Sequence, residues 1–177
     1  MSDVTTAEFE VVATVRKPKP EIRIANASDV AGLTQCMIDF AEEMELGSFG
    51  LKVNPLSFHA SLLNQMINAP GTFVLVVEAD SEIIGGAMLS LEPQWLCSSQ
   101  IVAMEKFWYL HPDWRKGSSI AIRMWKACEE WARDCRAELM CVGHFASAPP
   151  AAAAIYERRG FTPYFIEYMK EIRPCQS

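Results

Sequence analysis

Residues 101–135 constrain the fold more than any other stretch. IVAMEKFWYL (101–110) is apolar and aromatic, with Glu105 its one acidic residue. Such a run suits a central strand. HPDWRKGSS (111–119) then turns polar and basic. From Ile120 the apolar period is helical: Ile120, Met124, Cys128, Trp131 and Cys135 form one stripe, while Arg123, Lys126, Glu130 and Arg133 face away. Strand, small-residue loop and helix in succession imply a sheet with helices packed on it.

The loop itself carries chemistry. The first N–H groups of a helix lack partners and can point at an anion, which the helix dipole favours. Gly117, Ser118 and Ser119 keep bulk low, and Arg115 and Lys116 add positive charge. The spacing is neither that of a Walker A loop nor that of a dinucleotide fingerprint. A solvated turn with a helix cap accounts for the same residues.

The rest of the chain reads as β α α β β β α β α β, a mixed sheet flanked by helices. EIRIAN (21–26) alternates like a short strand, and Ser28 is placed to cap the helix after it. On that helix Leu33, Met37, Phe40, Ala41 and Met44 share a face. Asn54 and Pro55 open a second helix that carries Phe58, Leu62 and Met66 and stops near 68–71. Residues 72–93 form a hairpin about Ala79-Asp80-Ser81, and Gly85 and Gly86 mark a bulge or a close backbone approach. QWLCSSQ (94–100) reads as a loop, 137–144 as a strand, 147–160 as a helix that Gly160 stops, and 161–172 as a final strand. Residues 1–20 are an N-terminal arm or extra edge strand, and 21–177 a single domain.

With 177 residues, half of them apolar, the chain can bury a core. The net charge of −6 argues against nucleic acid as a partner. No run of 18 apolar residues suggests a membrane span, and MSDVTTAEFE is too acidic for a signal peptide, so a cytoplasmic protein is expected. The six cysteines include no Cys-x-x-Cys pair and the three histidines are scattered, so no metal site is expected.

A resemblance adds to this reading. WYLHPDWRKGSSIAIRMWKACEEWA (108–132) resembles the acyl-CoA-binding strand–loop–helix of the GNAT superfamily of N-acyltransferases, whose loop reads Arg/Gln-x-x-Gly-x-Gly/Ala. Arg115 fits its first position, and Ser118 and Ile120 stand where small residues are usual. AAIYERRGFTPYFIEYMKEI (153–172) resembles the family's later helix and closing strand, with Tyr156, Glu157, Gly160 and Phe161 matching its Tyr-Glu-x-x-Gly-Phe run. The style of both segments is most similar to phage-encoded or phage-related members. The resemblance implies a mixed α/β fold with a splayed central sheet, whose strands 101–110 and 137–144 part at their C-terminal ends. It implies acetyl-CoA as cofactor, with the pantetheine arm along Trp108, Tyr109 and Leu110. The pyrophosphate would lie on Arg115, Lys116, Gly117, Ser118, Ser119 and Ile120.

The implied chemistry is acetyl transfer to a primary amine in a ternary complex. Tyr156 matches the family's proton donor to the departing thiolate. Glu105 is the candidate base, since burial raises a carboxyl's pKa, although a strand glutamate facing solvent fits as well. The Leu110 N–H would polarise the thioester carbonyl. Glu42, Glu43 and Glu45, with Phe49 and Trp95, are candidates for binding a cationic amine, small or on a protein. His111 caps the turn before Pro112 or relays a proton. A non-catalytic acyl-CoA-binding or regulatory protein that kept the fold is the alternative, suggested by the altered loop, and a purely structural module is a third. The aromatic C-terminal region would serve a homodimer or the core equally well.

Overall fold

The computed structural model describes residues 19–116, 119–148 and 151–170. Five strands form one sheet in the order β1-β2-β3-β4-β5: β1 (Glu21–Ile24), β2 (Thr72–Ala79), β3 (Glu82–Gln94), β4 (Cys97–Leu110) and β5 (Leu139–Cys141). The first four run antiparallel, and β5 lies parallel to β4. Alternation along the strands sends side chains to two layers. On one face α1 (Val30–Glu43) and α2 (Pro55–Asn68) set Val30, Leu33, Cys36 and Leu62 against Val74, Val76, Met88, Phe107 and Tyr109. On the other, α3 (Ile120–Asp134) sets Ile120, Met124, Cys128 and Ala132 against Leu75, Val77, Ala87, Leu89, Ala103 and Leu110. A short α4 (Ala151–Arg158) follows β5. The mixed α/β fold read from the sequence is the fold of the protein. Among the described residues no helix is long and apolar enough to cross a membrane.

Local chemistry explains the boundaries. Asn54 caps α2 by accepting from the Ser57 N–H, with Pro55 as its first residue. Asp80 and Ser81 turn the β2–β3 hairpin with φ of 51° and 65°, the left-handed pair that a two-residue hairpin requires. Gly85 and Gly86 permit close approach. A Cβ on Gly85 would lie 2.6 Å from the Tyr109 carbonyl oxygen, and one on Gly86 2.4 Å from Leu33 Cδ2.

Four expectations are corrected. Asn26, not Ser28, provides the first cap, accepting from the Ser28 N–H in a 3-10 turn (Ala27–Asp29), while Asp29 accepts from the Asn26 N–H. Residues 94–100 are not a loop, because Gln94 ends β3, Cys97 begins β4 and only Trp95 and Leu96 turn the chain. The Gln94 side chain accepts from both Leu96 and Cys97 N–H groups and so closes the turn. The strand expected over 137–144 is Leu139–Cys141 alone, since its partners on β4 are only Val102–Met104. Phe161–Lys170 forms no strand. Pro163 lacks a donor, and the three-residue β5 offers few groups to pair with. Tyr164, Phe165, Ile166, Tyr168 and Met169 are exposed instead. Residues 171 and 172, Pro149 and Pro150 at the expected start of α4, and nearly all of the expected arm 1–20 lie outside the described residues. Gly160 ends the helical segment with φ of 87°, as the sequence suggests.

Candidate active site

The site is built where β4 and β5 stop pairing. Their register runs Val102–Leu139, Ala103–Met140 and Met104–Cys141, and then ends. β4 continues for six residues, and among the described residues no strand pairs with its β5-side edge there. Two neighbouring β3 residues, Met88 and Leu89, oppose Phe107 and Glu105, so Lys106 is the extra residue of a bulge, held by an ion pair with Glu92. The bulge resets the alternation. Glu105 therefore shares the α3 face with Ala103, Trp108 and Leu110, while Phe107 and Tyr109 face α1. The His111 N–H donates to Ile84 O at 2.8 Å. Alternation then directs the backbone of Tyr109 toward β3 and the amides of Trp108 and Leu110 into the gap.

Glu105 lies at the head of this gap. The residue as a whole is half-buried, yet its Oε2 is shut off from solvent and has no hydrogen-bond partner among the described residues. Desolvation pushes its pKa up to about 8. Its charge is felt by Cys128 on α3, Cys141 on β5 and Tyr156 on α4, each of which it pushes upward together with burial. These three elements therefore converge on one carboxyl. The Tyr156 ring packs edge-on to Trp125 and stacks on His144 at 5.8 Å, with Phe161 beside it. Its hydroxyl donates to Gly143 O at 2.8 Å, two residues past the end of β5. Trp108 stacks on Trp125 at 4.4 Å, which ties the gap edge of β4 to α3.

The loop after β4 is partly as expected. Ser119 is the N-cap of α3 and makes no side-chain cap bond. Ile120 is buried in the core with Leu110 and Met124, so its side chain takes no room from the loop. Lys116 is exposed, and Gly117 and Ser118 lie outside the described residues. His111 accepts from the Asp113 N–H at 3.4 Å, the capping contact expected of it. Arg115 turns away from the gap, toward α1. Its guanidinium makes a two-pronged pair with Glu43 at 2.5 and 2.6 Å, its Nε donates to Leu110 O at 2.6 Å, and it lies over the Tyr109 ring.

The expected amine-binding residues separate into groups. Glu42 and Glu45 line a cavity of about 460 Å³ together with Ile38, Leu46, Leu51 and Val53. Glu43 is engaged by Arg115. The Phe49 ring lies 6.4 Å from that of Phe145. Trp95 is 81% exposed at the β3–β4 turn. It sits at the opposite end of the 14-residue β4 from the loop, on the order of 40 Å away. Sequence reasoning missed Phe145 and Ser147, which bridge the gap. Phe145 packs against Phe40, and Ser147 Oγ donates to Met44 O at 2.8 Å. No motif marks these residues, since their partners lie about a hundred positions away.

A central sheet that splays beside a bulged strand, with a helix N-terminus at its mouth, defines an acyltransferase-like class. The acetyltransferase (GNAT) family model matches residues 38–161, well over half of the chain, and the chain belongs to that family. Solved structures agree in fold. An aminoglycoside N-acetyltransferase in complex with CoA superposes with a TM-score of 0.69 at 16% identity, covering 90% of this chain and 100% of that one. A predicted acetyltransferase with acetyl-CoA from Clostridium acetobutylicum gives 0.65 at 17% identity, over 85% and 96%. Glucosamine-6-phosphate N-acetyltransferase from Arabidopsis thaliana gives 0.64 at 13% identity, over 88% and 99%. No curated protein matches the sequence.

Proposed function

We propose that the protein is a cytoplasmic N-acetyltransferase that moves the acetyl group of acetyl-CoA to a primary amine, small or protein-borne, by direct attack in a ternary complex. One observation carries this reading. Among the described residues no strand pairs with the β5-side edge of β4 beyond the bulge, and at the head of the gap the Glu105 Oε2, buried and without a partner among those residues, belongs to a carboxyl whose charge reaches Tyr156. The residues present fit the cofactor. The gap-facing amides of Trp108 and Leu110 form a free strand edge for an extended arm, and the N-terminus of α3 offers unpaired N–H groups to the pyrophosphate. Acetyl-CoA supplies the activated acetyl group. The Leu110 N–H would be the donor that polarises the thioester carbonyl of a bound acetyl-CoA. Glu105 takes a proton from the incoming ammonium, directly or through one water, and its ionised form is matched to a pH near 8. Tyr156 Oη would be the proton donor toward the thiol end of a bound cofactor, and its bond to Gly143 O holds it in place. The carboxylates of Glu42 and Glu45 attract a cationic amine to the α1 side. The exposed run from Tyr164 to Met169 supports pairing with a second copy of the chain. The five described cysteines are all free, as in a reducing compartment.

The test is calorimetric titration with acetyl-CoA, followed by thiol release across a panel of amines. Saturable binding with amine-dependent thiol release is the expected result. Binding with no turnover on any amine would favour the non-catalytic alternative, and no binding at millimolar acetyl-CoA would overturn both.

A further inference from the structure

The C-terminal end of α1 carries an electrostatic liability. Its last turn holds Glu42 and Glu43 and no basic residue, so two carboxylates sit at the negative end of the helix dipole. The missing cation comes from 72 positions away. Arg115 grips both Glu43 oxygens, donates through Nε to Leu110 O, and rests over Tyr109. One side chain therefore touches the end of α1, the last residue of β4 and the loop that leads to α3. A planar guanidinium meeting a carboxylate with two parallel bonds fixes orientation as well as distance.

The segment that follows Glu43 is a tight turn. Glu45 adopts φ of 51°, a 3-10 turn covers Leu46–Phe49, and Gly50 adopts φ of 76°. This turn walls the cavity that holds Glu42 and Glu45. It is gripped from the other edge of the gap too, by Ser147 on Met44 O and by Phe145 against Phe49. The loop that ends β4 thus holds the helix end that leads into this turn, and the loop after β5 holds the turn itself.

We propose that the Arg115–Glu43 pair is a latch that transmits occupancy of the loop after β4 to residues 44–51, so that cofactor and acceptor binding are coupled. Arg115 is then a positioning residue and not a phosphate ligand. The inference rests on the acetyl-CoA reading above. Coupling of this kind is reciprocal: a cofactor that orders the loop tightens the turn, and the turn tightens the loop.

Hydrogen exchange of the whole chain, with and without CoA, tests the latch on the unmodified protein and on Glu43→Gln and Arg115→Ala. CoA affinity is measured in parallel. Without ligand, both variants should speed exchange at 44–51 about fivefold, as for loss of one well-formed pair, and leave β2 and β3 unchanged. CoA should slow exchange at 44–51 in the unmodified protein but not in either variant at saturation. Affinity should fall by a similar factor in both, and no further in the double variant. Weaker CoA binding in Arg115→Ala with unchanged binding in Glu43→Gln would make Arg115 a direct ligand and overturn the latch. CoA binding that leaves 44–51 unaffected would overturn it as well, with the acetyl-CoA reading still standing. Failure of CoA to bind the unmodified protein would overturn that reading and the transmission with it.

Discussion

Replacing Glu105 with Gln should change how stability depends on pH, and the structure fixes both sign and size. The folded protein keeps the Glu105 proton up to a pH of about 8, whereas the ordinary value is 4.5. Below 4.5 both folded and unfolded chains are protonated and the residue costs nothing. Between 4.5 and 8 the unfolded chain releases the proton while the folded one retains it, so stability falls as pH rises. Above 8 the folded site holds a charged, unpartnered carboxylate and the full cost is present. At about 1.4 kcal/mol per pH unit the window amounts to ~5 kcal/mol as a ceiling. Glu105 is only half-buried as a residue, and relaxation toward water should reduce the realised change to about 2–4 kcal/mol. Gln has nearly the same shape and no charge, and any cost of its buried amide is the same at every pH. Urea unfolding of both proteins at pH 5, 7 and 9 reads the effect, because titrating groups that do not feel the Glu105 charge cancel in the difference. Glu105→Gln should gain on the unmodified protein from pH 5 up to about 8 and level off beyond it. Parallel stability curves would refute the argument and show that water or a partner reaches Oε2.

Gly85→Ala should destabilise the fold by about 2 kcal/mol, because its Cβ meets the Tyr109 carbonyl oxygen and not a yielding side chain. It should also weaken CoA binding by displacing the end of β4, and denaturation and calorimetry check the two effects. Arg23→Ala should cost about 2–4 kcal/mol, since it strands Asp29, which is 5% exposed and accepts two bonds from Arg23. Arg23 holds the Asp29 pKa below its ordinary value of 3.8. That stability is present above 3.8 and lost as pH falls further, so the variant should show a flatter acid limb in a pH-dependent melt. Tyr156→Phe should keep the fold and CoA affinity but lower kcat on an accepted amine by about 100-fold, and steady-state kinetics with parallel calorimetry reads both.

The secondary structure was legible wherever local chemistry decides it. Asn54-Pro55 announced α2, Asp80-Ser81 announced a hairpin, and the stripe from Ile120 announced α3. Misreadings came where tertiary pairing decides the outcome. FTPYFIEYMK has the composition of a strand and forms none, because a strand exists only if an edge is there to pair with. Residues 94–100 look like a loop, and the Gln94 side chain makes them a tight turn. Ser28 is as good a cap as Asn26 in isolation, and what selects Asn26 is the fit of Asp29 against Arg23.

The candidate site divides in the same way. The sequence by itself determined the strand–loop–helix at 101–135 and the polar identity of Glu105 in an apolar run, because these are matters of periodicity and residue type along the chain, while the Tyr156 segment was marked by its resemblance to the family's run. Tertiary structure alone decided where those groups point. The bulge at Lys106 set the face on which Glu105 lies, the end of the β4–β5 register opened the gap beside it, and the end of α1 drew the Arg115 side chain away from the pyrophosphate position that the resemblance implies. A side chain's direction is a sum over strand pairing and charge partners scores of residues away. That sum exists only once the chain has closed on itself.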